Sequence, residues 1–274
     1  MPAILFHIGL IAYFLAAIGH VTHVLRSPTG AHEAEKTGGQ GGRAWLGDRA
    51  LAIGFVFHGA SVFLRAVELV QGGAFRLGEG LSFLAFLTVG AYLLVGRTLQ
   101  VPMLGAFLAP LVVVVLMPAH AVPDPNVAPP TWLGWIRPLH IAVALGGLAL
   151  FALGFLVSAF YLLLQRELKA RRPGAMYRRL PSLAHLDSVT FRVTSWGFVL
   201  LSLTILTGAL FPETGAPFGL RLWTKEAMGL LAWGLTATIL LLRQTLGWRG
   251  RRVALATMMG FFCLAVAFVG VFVG

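Results

Sequence analysis

Charge is scarce in this chain. Asp, Glu, Lys and Arg together make up 11% of its 274 residues, where soluble domains carry about 25%. So few ionic groups cannot clothe a water-facing surface. Acidic residues are rarer still, 10 against 21 Lys and Arg, which leaves a net charge of +11. Cysteine occurs once, as Cys263 inside an apolar run. That excludes an intramolecular disulfide and a CxxC redox or zinc motif, and it reads as a small core residue. There is no hydrolytic triad, P-loop or HExxH pair, hence no self-contained catalytic constellation. No basic-aromatic face of a nucleic-acid module occurs, and no repeat of 20–50 residues. Low complexity is confined to GGQGG. The first apolar run lacks the basic start and small-residue cleavage site of a signal peptide, so it is read as a retained span.

What the chain has instead is apolar length. Hydrophobic residues form 58% of it, and the mean hydropathy is +0.84. A membrane span needs about 20 mostly apolar residues, and lipid forces such a segment to satisfy its own backbone hydrogen bonds as a helix. Eight runs qualify, at roughly 3–25, 50–71, 79–97, 101–121, 138–165, 192–211, 226–246 and 252–273. The expected fold is therefore all-α, a polytopic bundle of eight transmembrane helices in a single membrane domain over 1–274. A short surface helix is expected near Ala44 to Asp48, in an otherwise flexible Gly-rich loop. Lys and Arg concentrate in alternate connections, above all 166–192 and 243–252, whereas the opposite side holds Arg76, Arg137, Arg221 and Lys225. The positive-inside rule then puts the 211–226 stretch and both termini outside, and it assigns the basic clusters to topology and anionic headgroups.

The eight histidines fall mostly in or at the ends of spans, where an ionisable group marks an interior site or pathway. Neutral His is also a common axial ligand of haem iron. His58 lies about 12 Å along its span from the basic side, and Arg65 follows seven residues later on nearly the same face. An imidazole with a guanidinium above it suits a ligand carrying iron and carboxylates. The bland alternative is a His58 hydrogen-bonded to a neighbouring helix, with Arg65 paired to Glu68. His20 could reach the level of His58 and complete a two-histidine site, or it and His23 could simply meet headgroups. His140 and His120 flank the Pro-rich VPDPNVAPPTWLGWIR loop on the outer side; as plain interface histidines they would be wetted by water. In FPETGAPFGLRLWTKE, Trp223 offers a stacking plane and Arg221 and Lys225 offer cations for propionates. Glu226 can pair with Lys225 or serve as the N-terminal charge of the following helix. His7 is a weaker outer candidate, and His32 and His185 are expected to be solvated.

From Leu180 to Gly250 the chain resembles the cytochrome c assembly family, which includes CcsA-type, CcmC-type and HemX-type membrane proteins. The matching residues are LPSLAHLDSVTFR, GFVLLSLTILTGAL, WTKE and LLRQTLGWRGRRVALATMMGF, with weaker likeness in GEGLSFLAFLTVGAYLL and LGAFLAPL. The resemblance implies that 211–226 is the family's tryptophan-rich haem-binding segment. It implies that His140 stands where the family has an external haem-ligating His, and that His58 is its transmembrane His. The motif departs from the family's usual WxWDPKE, reading GLRLWTKE, and no His follows His185; both departures favour the HemX-type branch. The implied cofactor is non-covalent haem, of b type. The implied partners are the bilayer of a bacterial cytoplasmic (inner) membrane, haem, and either a cytochrome c assembly subunit or a haem-biosynthesis enzyme.

The leading expectation is a haem-handling protein of haem transfer or cytochrome c biogenesis. The alternative is a HemX-type scaffold acting on glutamyl-tRNA reductase through the basic 166–192 segment. A b-type cytochrome predicts paired His on facing helices, and a solute transporter predicts inverted repeats with broken helices; neither pattern is visible.

Overall fold

The structure is a computed structural model that describes residues 2–26, 40–70, 75–99, 103–119, 136–170, 181–209 and 225–273. Among the described residues the chain is all-helical. Its helices are α1 (Pro2–Arg26), α2 (Gln40–Val70), α3 (Leu77–Leu99), α4 (Met103–Ala119), α5 (Ile136–Lys169), α6 (Leu183–Ala209), α7 (Lys225–Leu246) and α8 (Arg251–Val273). Seven carry a stretch long and apolar enough to cross a membrane, and α4 has a shorter apolar core, Leu104–Met117. The chain is thus a multi-pass membrane protein. Large side chains such as Phe14, Phe63, Leu94, Val114, Trp196 and Leu206 stand exposed, as lipid-facing surfaces require.

Two helices start well before their hydropathy window. α2 begins at Gln40 rather than near 50 and absorbs the short surface helix expected at 44–48. α6 begins at Leu183 rather than near 192. Ser182 caps it, its hydroxyl accepting the His185 N–H at 3.3 Å and its carbonyl the Leu186 N–H at 3.0 Å. α3 starts on the same logic, with the Glu79 carboxylate accepting the Arg76 N–H at 3.0 Å.

The helices gather into two compact units, Met1–Pro130 with Arg166–Pro181, and Thr131–Gln165 with Ser182–Gly274. In the first, α1 packs along α2 on a seam of small residues. A Cβ added at Gly54 would meet the Tyr13 ring at 2.6 Å, and one at Gly19 would meet Gly47 Cα at 3.2 Å. Only glycine lets the two backbones come this close. α4 presents Leu104, Leu108, Val112 and Leu116, every fourth residue and all buried, to α1 and α3.

In the second unit α7 and α8 are close neighbours and α6 packs on both. α5 joins them through Phe151, which is fully buried and fits over Gly197 of α6 and Gly260 of α8. Buried hydroxyls are met locally: Thr236 donates to the Ala232 carbonyl and, in the first unit, Thr88 to Leu84, each at 2.7 Å.

Candidate functional site

His140 sits in the second turn of α5, just beyond Pro138, whose missing N–H costs nothing in a first turn. Its ring is half-buried and reaches Thr207 near the end of α6. Nδ1 lies 2.8 Å from Thr207 Oγ1. Thr207 Oγ1 also lies 2.8 Å from the Leu203 carbonyl and 3.1 Å from Thr204 O. When the hydroxyl proton goes to Leu203, Oγ1 accepts from the ring, Nδ1 carries the imidazole proton and Nε2 keeps its lone pair. That is the tautomer a metal-ligating His needs, oriented by an outer hydrogen bond. Gly208 leaves the ring its room, since a Cβ there would stand 3.3 Å from His140 Cε1.

The partners proposed around His140 from sequence are not among the described side chains. His120, Arg221 and Trp223 lie outside the described residues, and Arg137 and Lys225 belong to the first turns of α5 and α7 with side chains outside the described set. Chain connectivity puts the 210–224 stretch directly after the turn that carries Thr207.

In the other unit His58 is almost fully buried, at 1% exposure. Both ring nitrogens are engaged: Nδ1 is 3.3 Å from Tyr13 Oη and Nε2 is 2.9 Å from Ser82 Oγ. Phe6, Tyr13 and Phe86 enclose the ring edge-on at centroid distances of 5.7, 5.6 and 6.0 Å. A porphyrin plane has no room there unless α1, α2 and α3 separate. Arg65 does not stand over this pocket. Its guanidinium is bound to Glu68 at 2.9 Å on the helix exterior, with the two side chains 41% and 51% exposed. The bland alternative weighed for His58 and Arg65 is thus the arrangement seen.

His20 is also buried, but at a different level. It packs on Gly47 and Gly105, eleven residues along α2 from His58, which corresponds to about 16 Å of helix rise. The two rings do not face one site, so the expected pairing of His20 with His58 is not formed. Nε2 of His20 lies 3.5 Å from Asp48 Oδ1, an ionic contact when the ring is protonated, and it makes no hydrogen bond among the described residues. His7 Nδ1 meets the Ala3 carbonyl at 2.6 Å.

The sequence reading missed one polar cluster altogether. Asp187, in the early part of α6, accepts from Arg243 Nη2 at 2.8 Å with Oδ2 and from the Gly250 N–H at 2.7 Å with Oδ1. Arg243 also lies 4.3 Å over the Phe191 ring. The signal was an Asp and an Arg at the margins of apolar runs, each of which alone passes for a topology marker.

Comparison with known proteins covers most of the chain. The family described as "Cytochrome C assembly protein" matches residues 74–273. The chain is similar to a "Cytochrome c biogenesis protein CcsA" from Synechococcus sp. (strain CC9605), at 27% identity over 256 residues and 84% of each chain. The protein of the same name from Chlamydomonas reinhardtii is 28% identical over 239 residues, 81% of this chain and 66% of the relative. That from Prochlorococcus marinus (strain MIT 9313) is 28% identical over 235 residues, 73% and 74% of the two chains.

Proposed function

The chain belongs to the cytochrome c assembly family, and on that premise we propose that it binds haem non-covalently and hands it on during cytochrome c biogenesis. The observation that carries this reading is the Thr207 hydroxyl 2.8 Å from His140 Nδ1, which holds the ring and leaves Nε2 outside that hydrogen bond. When bound, haem would supply an iron that a neutral imidazole can ligate. His140 would provide that imidazole, and Thr207 would orient its ring. Trp223 would provide a stacking face, and Arg137, Arg221 and Lys225 would neutralise propionates. His58, His20 and Arg65 have no part in this reading, because both His58 nitrogens are engaged, His20 lies at another level and Arg65 is paired with Glu68. The membrane is the cytoplasmic membrane of a bacterium, with both termini and the 211–226 stretch outside.

Support comes from two independent directions: the excess of Lys and Arg on the opposite connections, and relatives whose printed name is cytochrome c biogenesis protein. A second reading, a HemX-type scaffold of tetrapyrrole synthesis acting on glutamyl-tRNA reductase, is favoured by the shortened GLRLWTKE motif. It predicts co-purification with that enzyme, abolished when the 166–192 arginines are neutralised.

The test is the absorbance spectrum of the protein purified from haem-supplemented cells. A Soret band is expected in the native chain. It should be lost or displaced in His140→Gly and restored by added imidazole. A Soret band that His140→Gly leaves untouched would refute the assignment of His140, and no band in the native chain would refute haem binding.

A further inference from the structure

The connection between α7 and α8 is a fixed object rather than a loose link. Gly247 and Gly250 both take positive φ, +64° and +78°, a conformation that costs other residues a Cβ clash. The Trp248 N–H donates to the Leu242 carbonyl at 3.3 Å, and the Gly250 carbonyl receives the Ala254 N–H at 3.0 Å to start α8. From below, Asp187 holds the Gly250 N–H. The Arg252 guanidinium lies 4.8 Å over the Trp248 ring. Against this turn stands the last part of α5, with Tyr161 Oη close to Gly250, where an added Cβ would come within 2.6 Å.

Turn and helix together bound an open surface depression of about 460 Å³, lined by Tyr161, Gln165, Trp248, Arg249, Arg251 and Arg252 besides the two glycines. Its three arginines are exposed, so it suits a headgroup-sized ligand held at the surface. Among the described residues its lining holds three guanidinium groups, a phenol, an amide and an indole, and no carboxylate. Asp187, beneath the turn, has one oxygen on Arg243 and the other on Gly250. The depression therefore selects an anion. A guanidinium fork matches the oxygens of phosphate two at a time, and arginines at a span terminus with a Trp and a Tyr beside them fit the headgroup layer.

We propose that this depression is a binding site for a phosphate ester of net negative charge, clamped by Arg249, Arg251 and Arg252 and bonded by Tyr161 Oη and the Gln165 amide. The ester is the headgroup of an anionic phospholipid or a soluble phosphate of the same chemistry. The site is separate from His140 and does not depend on haem binding.

The experiment uses the full chain in neutral detergent and follows its thermal midpoint against dioctanoyl phosphatidylglycerol, dioctanoyl phosphatidylcholine and inorganic phosphate. A saturable rise with phosphatidylglycerol that phosphatidylcholine does not reproduce is expected, and it identifies a lipid headgroup. A saturable rise with inorganic phosphate as well identifies a soluble ligand. The triple variant R249K/R251K/R252K keeps the charge that orients the spans but loses the forks, and should weaken the apparent affinity about tenfold. No saturable rise with any ligand, or an equal response in the lysine variant, overturns the proposal. Native mass spectrometry of the unmodified protein with equal amounts of the two lipids gives a check free of any variant. Preferred retention of phosphatidylglycerol supports the site, and equal retention overturns it.

Discussion

Asp187 and Arg243 meet at 2.8 Å across α6 and α7, with side chains only 10% and 11% exposed. In so apolar a setting neither charge is tolerable without the other, and removing one partner of such a pair leaves an uncompensated ion. Asp187→Leu and Arg243→Met should therefore each lower stability by about 3–5 kcal/mol, and the double variant by clearly less than their sum. Unfolding in mixed detergent micelles, run as a double-mutant cycle, reads the coupling. Additive losses would show that the pair is only a neighbourhood.

The two glycines of the α7–α8 turn separate two kinds of strain. Nothing lies within 4 Å of a Cβ at Gly247, whereas one at Gly250 meets Tyr161 Oη at 2.6 Å. Gly247→Ala should cost about 1–2 kcal/mol from its left-handed backbone alone. Gly250→Ala should cost more, and Tyr161→Phe should recover the difference by removing the obstructing oxygen. Thermal midpoints of the four proteins decide it; equal losses at 247 and 250 would contradict the contact.

Thr207 is expected to act on haem only through His140. Thr207→Val keeps the shape and removes the acceptor. It should weaken haem binding by about 10–100-fold, the usual effect of losing a partner of a ligating imidazole. Thr207→Ser should restore it. Haem titration followed at the Soret maximum makes the measurement. Equal affinity in the valine and serine variants would mean that the hydroxyl does not set the ring.

At His58 the two hydrogen bonds differ in length, 2.9 Å to Ser82 and 3.3 Å to Tyr13. Ser82→Ala leaves a buried nitrogen without its shorter bond and should cost about 1–3 kcal/mol, and Tyr13→Phe should cost less. The thermal midpoints of the two variants give the order, and a reversed order would mean that Tyr13 is the main support of the ring.

Orientation can be read by labelling. In a Cys263→Ser background, Pro217→Cys should react with a membrane-impermeant maleimide added to intact cells and Gly174→Cys should not, following the distribution of Lys and Arg. The opposite pattern would invert the assignment and place Trp223 on the cytoplasmic side.

The helices were legible from hydropathy because lipid leaves a 20-residue apolar run little choice but a helix. Their starts were less so. The apolar window ends near Arg192, yet α6 reaches back to Leu183, where Ser182 caps it, and Asp187 within that extension is paired by Arg243, far along the chain. A one-dimensional window cannot contain both partners. The same limit applied to the histidines. Their presence within spans was plain, but whether a ring faces Ser82, Thr207 or its own helix depends on neighbours brought in by packing. The hydroxyl beside His140 could not be read from the sequence, since it comes from another helix.

The glycine seam between α1 and α2 has a mechanical consequence. Backbone rides on backbone there, with Tyr13 wedged against Gly54 and Gly19 against Gly47, so the two helices have little slack for sliding past each other. The face of His58 that meets Ser82 then opens only if α1 and α2 move together away from α3, and a bulkier residue at Gly19 or Gly54 would force the two helices of the seam apart.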